Sequence, residues 1–340
     1  MRTSVAVVVL GLAVVALVAR GGAAAVDYGP IAHWSADELT GGRARPFPLQ
    51  TPTHRFSLVT RGAARPGVAE SHEGASDIFF AIAGSGRIVT GGTINAPAPL
   101  TGMPGELRGA SMTGGQSYDL KPGALINIPP STAYTFAPDQ SGLTLVRLTI
   151  NVGMHPWSLV QTQQTTLGGS ASHPAVTVRT SVEQGEVRYW SADSLQRAHS
   201  AMTEAAAGGR PTNDPRDLVN IPMTRTHAWN FLYRRLGANG QPPSVEFHAG
   251  TYDIYFIVAG TGTVMTGGTI ENRRQVADKP GEEQGTLIAG GAPLRVKAGD
   301  VINMPPSTPH QSIPDPGGVS YMLVKVNTGV YPWSLIAAEP

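Results

Sequence analysis

The chain has 340 residues, enough for two domains that each bury a core of their own. Its 25 basic and 24 acidic residues leave a formal charge of +1 with no basic run, which argues against nucleic acid or an anionic membrane as partner. Cysteine is absent, so disulfides, thiolate chemistry and thiolate metal ligands are excluded.

Residues 1–25 read as a signal peptide. Arg2 supplies a positive start, Val5 to Val18 is uncharged and apolar, and Ala23-Ala24-Ala25 fits a small-residue cleavage site. The apolar run is short for a membrane span. The reading implies a periplasmic or secreted protein with no membrane association after cleavage; an uncleaved N-terminal anchor is the alternative. Mass spectrometry of the exported protein is expected to find a mature N-terminus close to Val26, and a retained Met1 would refute this.

The rest of the chain is one unit written twice. Trp34-Ser35-Ala36-Asp37 returns as Trp190-Ser191-Ala192-Asp193, and Asp77-Ile78-Phe79-Phe80 returns as Asp253-Ile254-Tyr255-Phe256. Ile126-Asn127-Ile128-Pro129-Pro130-Ser131-Thr132 returns as Ile302-Asn303-Met304-Pro305-Pro306-Ser307-Thr308, and Pro156-Trp157-Ser158-Leu159 returns as Pro332-Trp333-Ser334-Leu335. From His72/His248 onward the offset is constant at 176, whereas Trp34 and Trp190 lie 156 apart. The second copy therefore carries about twenty extra residues, placed in the Ala-rich, then Gly/Pro-rich stretch 198–215 and read as a helix followed by a loop. So long a period means a duplicated domain: 26–160 is the first, 161–189 a linker, and 190–340 the second.

Each copy reads as short strands punctuated by Gly, Pro and Asp. In the second copy these are 228–235, 244–248, 253–259, 262–266, 294–296, 300–304, 308–313 and 320–326. The expected fold class is all-β, two jelly-roll β-barrels with short peripheral helices, those at Ser35 and Ser191 starting on serine N-caps. Gly105–Gly115 and Gly281–Gly291 read as Gly-rich loops covering the barrel mouths. Trp157 and Trp333 read as plugs or inter-domain packing, and His54 and His227 as structural residues.

The chemistry concentrates in the second copy. Glu246 and His248 share one face of a strand, Asp253 opens the next strand, and His310 follows a proline-rich turn. The four residues are expected to converge only if the sheet closes into a barrel. In the first copy Glu70, His72 and Asp77 persist, but Tyr134 stands at the position of His310. A phenol ionises only near about pH 10, which makes it a poor ligand, so the first copy reads as a degenerate site.

Glu246-x-His248-x4-Asp253-x6-Gly260 and Gly299-x5-Pro305-x-Ser307-x2-His310 have the spacings of the two cupin motifs. From Tyr28 to Pro340 the chain resembles a bicupin of the cupin superfamily, closest to exported two-domain cupin-domain proteins. Glu246 stands where the family has its first His, Asp253 where it has Glu, Ser307 where it has Gly, and Pro314 where the second motif ends in Asn. The resemblance implies one divalent metal ion, Mn, Fe, Zn or Ni, in the second barrel, held by Glu246, His248, Asp253 and His310. His248, Asp253 and His310 also match a two-His, one-carboxylate triad, which leaves Glu246 as fourth ligand or as general base.

Two functions are compatible with such a site. One is a metal-dependent oxidoreductase, dioxygenase, lyase or isomerase acting on a small polar molecule, with Glu246 moving a proton and Tyr255, on the same strand face as Asp253, orienting the substrate. The other is a non-catalytic ligand-binding or structural protein, in which Tyr255 is a packed aromatic. The expected partner is a small molecule, with self-association left open.

Overall fold

The structure, a computed structural model, describes residues 27–41, 49–63, 67–100, 105–151, 186–208, 226–277, 279 and 281–328. The predicted signal peptide, both Pro-Trp-Ser-Leu motifs and most of the 161–189 linker lie outside the described residues.

Two large antiparallel sheets dominate, with only two helices among the described residues. In the second domain, strands Thr251–Thr266 and His310–Asn327 pair along nearly their whole length. The register shifts between Gly260 and Gly262, where the pair bends. Before the bend, Thr251–Thr266 also pairs with Val301–Met304; after it, with Ala292–Lys297. His310–Asn327 likewise meets Val245–His248 at one end and His227–Arg234 at the other. One sheet thus folds over into two layers. Gly260 is required at the bend: its φ is +73°, and a Cβ there would lie 2.1 Å from the Gly318 carbonyl oxygen. The first domain repeats this with Ala75–Thr90 and Tyr134–Asn151.

The all-β expectation holds, but the barrels are not closed. The main path of the second sheet ends at Ala32–Trp34 on one side and Arg274–Gln275 on the other, and these two strands do not pair. Segments 253–259 and 262–266, read as separate strands, are one bent strand. The Gly-rich stretches expected as loops also contain strands: Glu106–Gly109 and Ser111–Thr113 in one, Glu282–Gly285 and Leu287–Ala289 in the other. Gly105, Gly114, Gly115, Gly281 and Gly290 take positive φ at the turns, so a loop-like composition conceals a ladder.

Alternation along the central strands separates three cores. Phe79 and Ala81 point into the first domain, and Tyr255 and Ile257 into the second. The residues between them, Ile78, Phe80, Ile254 and Phe256, share a core that joins the domains, with the rings of Phe80 and Phe256 5.3 Å apart. Burial on both faces explains why these strands read as unbroken apolar runs.

The Trp-Ser-Ala-Asp repeats join the opposite domains. Ala32–Trp34 pairs with Val301–Met304 of the second sheet, and Arg188–Trp190 pairs with Leu125–Ile128 of the first. Each strand leads into a helix. Ser35 forms a capping box with Glu38 at Ala36–Thr40, and the Ser191 hydroxyl accepts the Ser194 N–H at Ala192–Ala207. The latter helix contains the start of the predicted insertion; residues 209–215 lie outside the described residues.

His54 and His227 are structural, as expected, and they bridge the domains. His54 Nε2 lies 3.0 Å from Asn303 Oδ1, and His227 Nε2 lies 3.2 Å from Asn127 Oδ1. Burial lowers their pKa values to about 3 and about 4. Both stay neutral in the fold while an unfolded histidine titrates near 6.5, so acid favours the unfolded chain. Their contribution is complete above pH 6.5 and is lost as pH falls toward 4, on the order of several kcal/mol. Melting temperature against pH is expected to fall steeply over that window, and less steeply in a His54→Gln/His227→Gln variant. Equal slopes would remove these histidines from the explanation.

Candidate metal centre

Strand register assembles the site in the second domain. Glu246 stands opposite His310, His248 opposite Glu282, and Asp253 opposite both Met304 and Lys325. The turn before His310 is pinned to the same strand. Ser307 takes a left-handed φ of 63°, and its N–H donates to the His248 carbonyl at 2.8 Å. Ser307 thus adopts the conformation for which the motif ordinarily has glycine, and Ser131 does the same in the first domain.

Three side chains point reactive atoms at one another. Nε2 of His248 lies 3.4 Å from Asp253 Oδ2, and Nε2 of His310 lies 3.5 Å from the same oxygen. Glu246 Oε2 is 3.8 Å from His310 Nε2, and Glu246, His248 and His310 each offer a donor atom within 4.8 Å of the others. Ligands sharing one ion at roughly 2.1 Å lie about 3.0–3.4 Å from each other, close to these spacings. Both Nε2 atoms and both Asp253 oxygens are buried without a hydrogen bond. Such atoms are costly unless something binds them. A small cavity between His248, Asp253 and His310 is lined also by Thr251, Met304, Pro305 and Thr308. The donor set, two imidazoles and two carboxylates, fits a divalent cation.

The outer atoms are held. His248 Nδ1 meets the Glu282 carboxylate and His310 Nδ1 the Thr308 carbonyl at 2.9 Å, which turns both Nε2 atoms inward. Arg234 Nη2 donates to Glu246 Oε1 at 3.2 Å, and Lys325 Nζ lies 3.3 Å from Asp253 Oδ1. Burial pushes the Glu246 carboxyl upward, but Arg234 and the two histidines outweigh it and hold it well below the usual carboxylate range. For Asp253, Lys325 and the same histidines likewise overcome burial.

Tyr255 lies on the expected side of its strand. It is buried and stacked on Tyr321 at 4.4 Å between centroids, with its ring 6.2 Å from that of His310.

The first domain brings Glu70, His72, Asp77 and Tyr134 together in the same way, with Glu106 Oε2 3.1 Å from His72 Nδ1. Here, however, the inward atoms are bonded. Arg147 Nε and Nη2 donate to the two Asp77 oxygens, each at 2.8 Å, and the Tyr134 hydroxyl lies 3.0 Å from His72 Nε2.

Comparison of folds fits this doubled arrangement. Salicylate 1,2-dioxygenase from Pseudaminobacter salicylatoxidans superposes with a TM-score of 0.51 at 11% identity, over 91% of this chain and 86% of the other. A variant of that enzyme in complex with gentisate superposes at 0.52 and 12%, over 91% and 84%. The chain has the bicupin fold. No family model matches the bicupin sequence, and no curated protein sequence does.

The motif spacings of this bicupin give no place to Glu282, Arg234, Lys325 or Arg147. A signal existed for Glu282, which repeats Glu106 at the same offset of 176.

Proposed function

We propose that this bicupin is a metal-dependent enzyme acting on a small polar molecule in its second domain. One divalent ion, Mn, Fe, Zn or Ni, is held there by Glu246, His248, Asp253 and His310. The observation that carries this is the convergence of His248 Nε2, His310 Nε2 and Asp253 Oδ2, buried without a hydrogen bond, while the outer atoms of these groups face Glu282, Thr308 and Lys325. When bound, the ion supplies Lewis-acid activation of a substrate oxygen. Glu246 and Arg234 are the most exposed side chains of the group at 25% and 21%, so the substrate approaches from their side. Tyr255 forms the packed wall behind His310. A dioxygenase-type oxidation of a small hydroxylated or carboxylic compound is the first reaction to assay, since similar folds carry out dioxygenation and bind gentisate. Export through the N-terminal segment belongs to the same reading.

With Oε1 engaged by Arg234, Glu246 serves as ligand through Oε2, not as base. Purified full-length protein is expected to contain one metal ion per chain. Glu246→His is expected to keep the ion but shift preference toward metals that favour nitrogen donors, as competition among Mn, Fe, Ni and Zn would measure. Unchanged preference with lost turnover would make Glu246 a base. Protein without stoichiometric metal would overturn the whole assignment.

A further inference from the structure

We propose that the first domain carries a built-in cation: the guanidinium of Arg147 takes the position that a metal ion would occupy among Glu70, His72 and Asp77.

The two domains present the same acidic and imidazole groups at equivalent places and differ in what meets them. In the second, His248 Nε2, His310 Nε2 and Asp253 Oδ2 are buried without a hydrogen bond, and Asp253 Oδ1 meets only the Lys325 ammonium at 3.3 Å. In the first, every corresponding atom has a partner. Arg147 grips Asp77 through two parallel bonds of 2.8 Å, and its Nη2 also lies 3.1 Å from His72 Nε2. The Tyr134 hydroxyl donates to Asp77 Oδ2 at 3.1 Å and faces His72 Nε2 and Glu70 Oε2 at 3.0 and 3.4 Å. Thr149 donates to Asp77 Oδ1 at 2.8 Å, and Arg108 takes the other Glu70 oxygen at 2.7 Å.

Three positions on one strand account for the difference, and one of them, Thr149, stands at the same offset for Lys325, the second domain's cation beside Asp253. Tyr134 stands for His310, and at the same offset Arg147 stands for Leu323. Leu323 lies in the apolar core of the second domain, whereas Arg147 reaches from the equivalent strand position to the acidic cluster. The guanidinium presents a planar fork that matches a carboxylate, so it supplies both positive charge and bonds where a metal would supply charge and coordination. Losing one histidine would leave a weakened site. Adding Arg147 makes it a filled one, which explains why Glu70, His72, Asp77 and Glu106 remain in place: they now serve a buried ion pair.

The test counts metal in full-length protein carrying His310→Ala, so that the second domain contributes none and the result is independent of its assignment. Protein is incubated with excess Mn(II) or Zn(II), desalted, and analysed for metal per chain. The parent and Tyr134→His are expected to retain no ion, because Arg147 still fills the position. Adding Arg147→Leu to Tyr134→His is expected to raise retention to one ion per chain. Retention by the parent, or by Tyr134→His alone, would overturn the proposal; so would zero retention by the Leu variant when its circular dichroism and melting transition are native. Should the Leu variant not fold, Tyr134→His with Arg147→Lys keeps a cation in the cluster and is expected to bind no metal; uptake by it would equally overturn the proposal.

Discussion

Replacing His310 by alanine is expected to strip metal from the purified protein, weakening affinity by more than about 100-fold. Even residues that only orient a metal ligand are commonly worth about 10–100-fold, and His310 is a ligand in our assignment. His248→Ala should match it. Glu282→Gln, which loosens the His248 ring from behind, should fall within about 10–100-fold. His72→Ala in the first domain should leave the metal content at one per chain. Content that halves with a substitution in either domain would show two equivalent sites and defeat the assignment.

The second large effect is on stability. Asp77→Ala removes the acid that accepts both Arg147 bonds, leaving a guanidinium only 13% exposed without its main partner. Breaking one side of a buried ion pair costs about 3–5 kcal/mol. In domains of this size that corresponds to a melting temperature lower by about 10 °C. Adding Arg147→Leu should recover much of the loss, because the uncompensated charge goes with it and leucine already fills the equivalent place in the second domain. A double variant no more stable than Asp77→Ala would show that the damage lies in lost packing, not in the stranded charge.

The doubled sequence made the fold legible, because an offset of 176 kept from His72/His248 through three repeated motifs leaves little choice but two copies of one β-unit. Glu246, His248, Asp253 and His310 were legible for the same reason, as was the loss of His at Tyr134. What could not be read were the residues that face the ligands across strands. Lys325 meets Asp253, and Glu282 meets His248, through strand register, and neither Lys325 nor Glu282 belongs to either motif. Glu282 was further hidden by its glycine-rich surroundings. Arg147 sits where an apolar alternation would place a core residue, and only the folded sheet shows it reaching the acids. The repeated Trp-Ser-Ala-Asp motif announced a strand and a helix, but nothing local to it says which of two similar sheets the strand will join.

That exchange of strands has a consequence for how the protein is made. Ala32–Trp34 is among the earliest described segments to be synthesised, yet its partner Val301–Met304 follows nearly a whole chain later. Meanwhile the outer edge of Leu125–Ile128 stays bare until Arg188–Trp190 has emerged. Neither half can complete its sheet from its own stretch of chain, so maturation cannot proceed strictly one domain after the other. Bare strand edges are where chains stick to their neighbours. The newborn protein therefore passes through an interval of greatest vulnerability that ends only when Val301–Met304 has been made, and the two halves, once paired, are clasped by an exchanged strand on each side as well as by their shared core.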